Sequence, residues 1–273
     1  MVGEQLLTPR SARVKAARKL TRRASRMSAR EFLAEGPQAV REALRAPGCV
    51  LEVFTSYDAG RRHPDLREAA AGHGVPWRLV DDAALAGLTE TVTPQGVVAR
   101  CAFIDSPIAD VATSNARLLA ICADIRDPGN AGTVLRCADA AGADGVLLAG
   151  ASVDPYNGKA VRASAGSLFH LPVSFGGTVE EAIAAARQAG LQVLAAEGEG
   201  TTSLDALLDS GALTRQTAWL FGNEAWGLPE DVRARADDVV RVPIYGQAES
   251  LNLATAAAVC LYASAREQRR PAG

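Results

Sequence analysis

Apolar and polar positions follow two rhythms along this chain. In the first hundred residues, short alternating stretches take turns with helical spacings. EFLAEG (31–36) reads as a strand, and PQAVREALRA (37–46) as a helix opening on proline, where the missing N–H costs little. CVLEVFTS (49–56) alternates as a second strand. PDLREAAAGHG (64–74) predicts a helix stopped by glycine, VPWRLV (75–80) a strand, DDAALAGL (81–88) a short helix and GVVARCAF (96–103) another strand. This alternation predicts a small α/β unit. IDSPIADVATSNA (104–116) shows no period and contains proline, serine and threonine, so a linker is expected there.

The rhythm then strengthens. Strands are predicted over 117–125, 144–150, 171–175, 191–198, 217–224 and 237–244, and helices over 131–143, 178–190, 228–236 and 250–268. A loop with a short helix spans 154–167, and another short helical piece precedes 217. Strands apolar on both faces and separated by helices predict a parallel sheet covered by helices on both faces. The expected division is a segment over 1–30, a small α/β domain over 31–103, a linker over 104–116 and a larger α/β domain over 117–273.

Charge adds a feature that periodicity misses. Residues 1–30 hold nine basic side chains, among them Arg18, Lys19, Arg22 and Arg23, against the single acid Glu4. The segment is therefore +8, while the remainder of the 273-residue chain is −10. A basic arm on an acidic body points to a polyanion such as a nucleic acid. With 48% hydrophobic and 22% charged residues, the composition is that of an ordinary globular chain. No run of about 18 apolar residues occurs and no secretory apolar stretch opens the sequence, so no membrane partner is expected. Five cysteines without a CxxC pair and three scattered histidines predict neither a disulfide framework nor a metal site, and fit a reducing cytoplasm.

In a parallel sheet of this kind a ligand binds beyond the carboxyl ends of the strands. Three polar loops fall there: DIRDPGNAGT (124–133), FGNEAWGLPE (221–230) and IYGQAESLN (244–252). No GxGxxG follows the first strand of the larger domain, and GxxxxGK[ST] and GxSxG are absent, which disfavours a Rossmann dehydrogenase, a P-loop enzyme and a serine hydrolase. Taken alone, Asn130 and Ser250 read as N-caps of the helices they precede. Lys159 and Arg162, in the polar loop 154–169, read either as surface charge or as phosphate contacts, and His170 reads as packing.

These loops carry a resemblance. DIRDPGNAGTVLRCADAAGADGVLL (124–148), LFGNEAWGLP (220–229) and VPIYGQAESLNLATAAAVCLY (242–262) together resemble the three motifs of the SpoU/TrmH RNA ribose 2′-O-methyltransferases of the α/β-knot superfamily. EFLAEGPQAVREAL (31–44) is similar to the opening of that family's small ribosomal-protein-like substrate-binding domain. The resemblance implies a C-terminal trefoil knot, S-adenosylmethionine as methyl donor, an RNA substrate, no metal and a homodimer. Ribosomal RNA of the 23S class is the expected substrate, with transfer RNA as the alternative. A non-catalytic RNA-binding or ribosome-assembly protein on the same fold is a rival of another class, and a nucleotide-dependent small-molecule enzyme is a second.

The resemblance also implies roles. Arg136 would activate the ribose hydroxyl. A guanidinium resists deprotonation, so holding a phosphate and stabilising the forming alkoxide is the physically easier task than acting as a base. Asn130 would shape the site and orient Arg136, and Glu224 would orient Arg136 or the substrate. Ser250 and Asn252 would complete the catalytic site. Gly222 would let the backbone approach the cofactor closely. Ile244 and Leu253 would line an adenine pocket, with Ala196 touching the cofactor from its strand end. Leu251, Leu253, Val259, Leu261 and Tyr262 give the closing helix more apolar surface than one side needs, which fits a dimer.

Overall fold

The computed structural model describes residues 6–270. Residues 1–5 of the expected arm, with Glu4, and residues 271–273 lie outside the described residues. In chain order the first elements are α1 (Ala12–Lys19), α2 (Arg23–Ala29), β1 (Glu31–Glu35), α3 (Pro37–Arg45), β2 (Val50–Thr55), α4 (Tyr57–Arg62), α5 (Pro64–Gly72), β3 (Trp77–Leu79), α6 (Asp82–Ala86) and β4 (Val97–Ala102). Then come α7 (Ile108–Val111), β5 (Leu118–Ala123), α8 (Pro128–Ala141), β6 (Gly145–Ala149), α9 (Gly158–Ser164), β7 (Val173–Phe175), α10 (Val179–Gln188) and β8 (Gln192–Ala196). The chain closes with β9 (Thr202–Ser203), α11 (Leu204–Asp209), β10 (Thr217–Phe221), α12 (Glu230–Arg233), β11 (Asp238–Arg241) and α13 (Leu253–Gln268). Two compact units result: the chain up to Ile104 together with Tyr156–His170, and Asp105–Pro155 together with the chain from Leu171.

The first unit holds a four-stranded sheet in the order β1-β4-β2-β3, antiparallel except for the β2–β3 pair. One face carries Leu33, Phe54 and Val98 and is covered by Val14, Ala17 and Leu20 of the N-terminal segment and by Ala84 and Leu85 of α6. The basic segment is therefore not a free arm. Its apolar residues recur at 14, 17 and 20, a helical stripe that the charge count hid. Arg26 is also withdrawn from the surface, donating through Nη1 to the carbonyls of Leu20 (3.0 Å) and Thr21 (2.9 Å) at the end of α1. Arg18, Lys19, Arg22 and Arg23 remain exposed.

Tyr156–His170 belongs to this first unit although it lies between β6 and β7 in sequence. Tyr156 stacks on Phe103 with ring centroids 3.8 Å apart, lies 4.7 Å from Phe32, and accepts the Ile104 N–H at 2.9 Å. Phe169 stacks on Phe32 at 6.1 Å. The expected domains, 31–103 and 117–273, are continuous in sequence, whereas the two compact units are not. A core is defined by which apolar faces meet, and here those faces are not contiguous in sequence.

The second unit is a seven-stranded sheet in the order β7-β6-β5-β10-β8-β11-β9, with every pair parallel. Leu119, Ile121, Ala218 and Leu220 face Val179, Ala182, Ile183 and Ala186 of α10. On the opposite face, Trp219 donates its indole N–H to Ser264 of α13 at 2.9 Å. All of the expected linker 104–116 except Ile104 is part of this unit. It contains α7, and Val111, Ala112 and Ala116 are buried against Leu119 and Ile121. Four helical residues are too few to leave a period in sequence.

β5 lies between β6 and β10, and β10 lies between β5 and β8. Order along the chain and order in the sheet part company at β5 and β10, so the loops that follow those two strands are brought side by side at their carboxyl ends, where such sheets bind ligands.

Candidate active site

The loop after β5 enters α8 through Asp127, not through Asn130 as the sequence suggested. Asp127 caps the helix by accepting the Asn130 N–H at 2.9 Å, and Pro128 occupies the first turn. This frees the Asn130 side chain. Its amide donates to Glu224 Oε1 at 3.0 Å, and its oxygen accepts from Asn252 Nδ2 at 3.1 Å. Asn252, rather than Ser250, caps α13 by accepting from the N–H groups of Ala254 (2.9 Å) and Thr255 (3.4 Å). Ser250 lies just before the helix, exposed, with no hydrogen bond among the described residues.

Glu224 ties the second loop to the first. Its carboxylate accepts from the backbone N–H groups of Arg126 (3.0 Å) and Asp127 (3.1 Å) as well as from Asn130. Burial pushes the carboxyl up, but the donors from Arg126, Asn130 and Asp127 outweigh it and hold Glu224 below the usual carboxylate range. A group with a lowered native pKa stabilises the fold fully above its unfolded pKa, and the benefit is lost as pH falls through the native value. Thermal unfolding of the wild type is therefore expected to lose stability as pH drops from about 5 to below about 4. Glu224→Gln should lack that component. Identical pH profiles for the two proteins would remove Glu224 from its tying role.

The loop after β10 is fixed further. Asn223 and Gly227 exchange backbone hydrogen bonds of 2.9 Å, and Asn223 Nδ2 donates to the Asp124 carbonyl at 2.7 Å. A Cβ on Gly222 would lie 2.6 Å from the Gly227 oxygen and 2.7 Å from the Leu228 nitrogen. The reason for glycine at 222 is thus the loop's contact with itself, ahead of any contact with a cofactor.

Beside these loops lies a cleft of about 420 Å³. Ala196, Gly222, Ile244 and Leu253, the four expected cofactor residues, all line it, as do Glu224, Ser250 and Asn252. Apolar side chains at Val240, Ile244, Leu253 and Ala256 suit a flat heterocycle, and the carboxylates of Glu197 and Glu249 suit hydroxyl or ammonium groups. Volume and lining fit a nucleoside-sized molecule such as S-adenosylmethionine. Glu197 was missed in the sequence, although it follows Ala196 at the end of β8, where the strand-end rule could have found it. It accepts the Leu228 N–H at 2.7 Å.

Arg136 stands apart from this network. It is exposed on α8, does not line the cleft, and has no hydrogen bond or ion pair among the described residues. Glu224 and Asn130 therefore hold the start of its helix and do not touch its guanidinium. Arg162 has partners in this structure, unlike Arg136. It pairs with Glu35 at 3.1 Å and Glu90 at 3.8 Å inside the first unit. Lys159 is exposed in the same unit. His170, expected to pack, contacts Glu42 at 3.2 Å.

Fold and cleft together define an α/β enzyme domain built for a nucleoside-like cofactor, in a chain that also carries a mixed-sheet unit with a basic surface helix pair. Residues 117–262 match the SpoU rRNA Methylase family, and residues 11–99 match the MRM3-like substrate binding domain. The chain belongs to the SpoU rRNA methylase family, and is a methyltransferase that uses S-adenosylmethionine. It is 34% identical over 265 residues, 95% of this chain and 98% of the other, to the 23S rRNA (guanosine(2553)-2′-O)-methyltransferase RlmP of Bacillus subtilis. The AdoMet-bound rRNA methyltransferase of Sinorhizobium meliloti superposes with a TM-score of 0.84 at 31% identity, covering 97% of this chain and 98% of that one. The SpoU methyltransferase AviRb of Streptomyces viridochromogenes, in complex with AdoMet, gives 0.80 at 29% identity, covering 94% and 99%.

Proposed function

We propose that this protein methylates the ribose 2′-OH of a nucleotide in 23S ribosomal RNA. The observation that carries the reading is the union of a nucleoside-sized cleft with the Glu224–Asn130–Asn252 chain of hydrogen bonds and an unpaired arginine on the helix this chain anchors. Two relatives named as 23S rRNA 2′-O-methyltransferases, RlmP and RlmB, favour ribosomal over transfer RNA.

Bound S-adenosylmethionine supplies a methyl group already activated on a sulfonium. The protein's task is then to present the hydroxyl in line and to stabilise charge developing on its oxygen. Asn130 and Asn252 fix the starts of α8 and α13, so the cleft wall and Arg136 share one rigid frame. Arg136 keeps its proton and acts as a cation toward the forming alkoxide or an adjoining phosphate. The exposed Arg18, Lys19, Arg22 and Arg23 of the first unit would add phosphate contacts, which give affinity without sequence choice.

Mapping 2′-O-methyl positions on total RNA, with and without the protein, tests the reading. A single ribosomal RNA position is expected to depend on it. A transfer RNA position would replace the substrate, and no dependent position with wild-type chain and S-adenosylmethionine would remove the enzyme reading.

The family resemblance brings a knotted closing segment, a homodimer and a cytoplasmic setting into this proposal. Among the described residues no helix is long and apolar enough to cross a membrane, and no group of His, Cys, Asp and Glu is arranged to hold a metal. For the dimer, Leu261 is unavailable because it is buried in its own core, and Leu253 lines the cleft. Val259 and Tyr262 do face outward, 39% and 52% exposed, along a stripe with Thr255 and Arg266 on α13. Light scattering is expected to give twice the chain mass, and Tyr262→Glu to shift it toward one. A wild-type monomer at micromolar concentration would defeat the dimer.

A further inference from the structure

The turn after β10 carries a feature that neither the cleft nor the hydrogen-bond chain uses. Trp226 is 59% exposed, whereas Trp219 is fully buried. An indole on a mobile loop would fold back onto apolar surface. This turn has no such freedom: the Asn223–Gly227 bonds close it, Asn223 binds the Asp124 carbonyl, Glu197 holds Leu228, and Gly222 leaves no room for adjustment. Its backbone at Gly227 is left-handed, with φ +66° and the Glu197 carboxylate closing off any side chain there. The structure therefore fixes the position from which an aromatic side chain is presented to solvent.

The same turn is tied to a cation. Glu224, two residues before Trp226, accepts the backbone N–H of Arg126 at 3.0 Å. The Arg126 residue is exposed, and its guanidinium has no hydrogen bond or ion pair among the described residues. Glu224 thus links the turn bearing the indole to the loop bearing the guanidinium, and its own charge is satisfied by N–H donors instead of facing a substrate anion. An aromatic face and a cation on one rigid support are the two elements that hold a nucleotide of single-stranded RNA, one for the base and one for the phosphate.

We propose that Trp226 and Arg126 hold one unpaired RNA nucleotide beside the reaction centre, Trp226 by stacking on its base and Arg126 by pairing with its phosphate. This rests on the reading above that the substrate is RNA, and makes the site selective for a target whose neighbouring base is free to leave its stack. A second copy of this chain is the competing occupant of the indole. A lone aromatic flanked by Glu224 and Gly227 is a poor core for a protein interface, whereas every base offers a π-face.

The test uses the full-length protein and a 23S ribosomal RNA transcript. RNA affinity is measured across a salt series for wild type, W226A, W226F and R126A, with light scattering and S-adenosylmethionine calorimetry on each. W226A is expected to weaken RNA binding about fivefold to 150-fold without changing the salt slope. W226F should recover most of that affinity, and R126A should lower the slope by about 0.7–0.9. Cofactor affinity should stay at the wild-type value in all three, which shows that the turn is folded. Wild-type RNA affinity in W226A overturns the proposal, and so does a change of molecular mass in W226A, which would assign the indole to a subunit contact. Because binding is read separately from turnover, a wild-type chain that binds RNA but transfers no methyl group overturns the functional reading alone.

Discussion

Arg136→Ala is expected to leave S-adenosylmethionine affinity nearly unchanged and to lower single-turnover methyl transfer by roughly 100-fold or more, the scale of losing one preorganised electrostatic group. The separation of the two effects follows from geometry. Arg136 lies outside the cleft, has no partner to strand when it is removed, and sits exposed on α8, so neither cofactor binding nor stability depends on it. Arg136→Lys keeps the charge and loses the planar fork, so little of the rate should return. Calorimetry and single-turnover assays on both variants decide the matter. Near-normal transfer in Arg136→Ala would make the residue part of an ordinary solvated helix face.

The second large effect is expected at Gly222. Alanine there would place its methyl group against the Gly227 carbonyl and the Leu228 nitrogen, and backbone cannot move aside as a side-chain end can. Overpacking of this kind costs about 1–3 kcal/mol. Here it would also displace Asn223, Glu224 and Gly227, which line the cleft. Gly222→Ala should therefore lower the melting temperature and weaken cofactor binding by about tenfold or more, the two losses appearing together. If cofactor affinity falls while melting is unchanged, the glycine serves the cofactor directly and the crowding within the loop is not what matters.

Much of the larger unit was legible in sequence, because strands buried on both faces leave continuous apolar runs and the three loops carry spaced motifs. Every strand of the seven except Thr202–Ser203, which is two residues long, falls within a predicted range. The caps were read one step off. Asn130 and Ser250 are good cap residues by type, yet Asp127 and Asn252 do the capping, since a cap depends on where the backbone turns and several polar residues compete within each loop. That shift changed the meaning of the site: with Asp127 at the cap, Asn130 is released to join Glu224 to Asn252. The ion pairs of Arg162 with Glu35 and Glu90 were not legible, because those partners lie far away in sequence and such pairs leave no local pattern. The helices of the basic segment escaped because nine basic residues obscured three apolar ones.

The excursion of Tyr156–His170 into the first unit has a consequence for how the chain is made. A ribosome releases β1 early, but Phe32 has no complete setting until Tyr156 and Phe169 have emerged more than a hundred residues later. β5 likewise waits for β10 before it gains its second neighbour. The first unit cannot finish before His170 has emerged, and the larger unit needs the rest of the chain, so folding of both is governed by contacts of long sequence separation, which form slowly. Released chains truncated near residue 110 should expose Phe32 and Phe103 and depend on chaperones, and released chains truncated just past residue 170 should resist proteolysis in the first unit while the larger sheet is still incomplete.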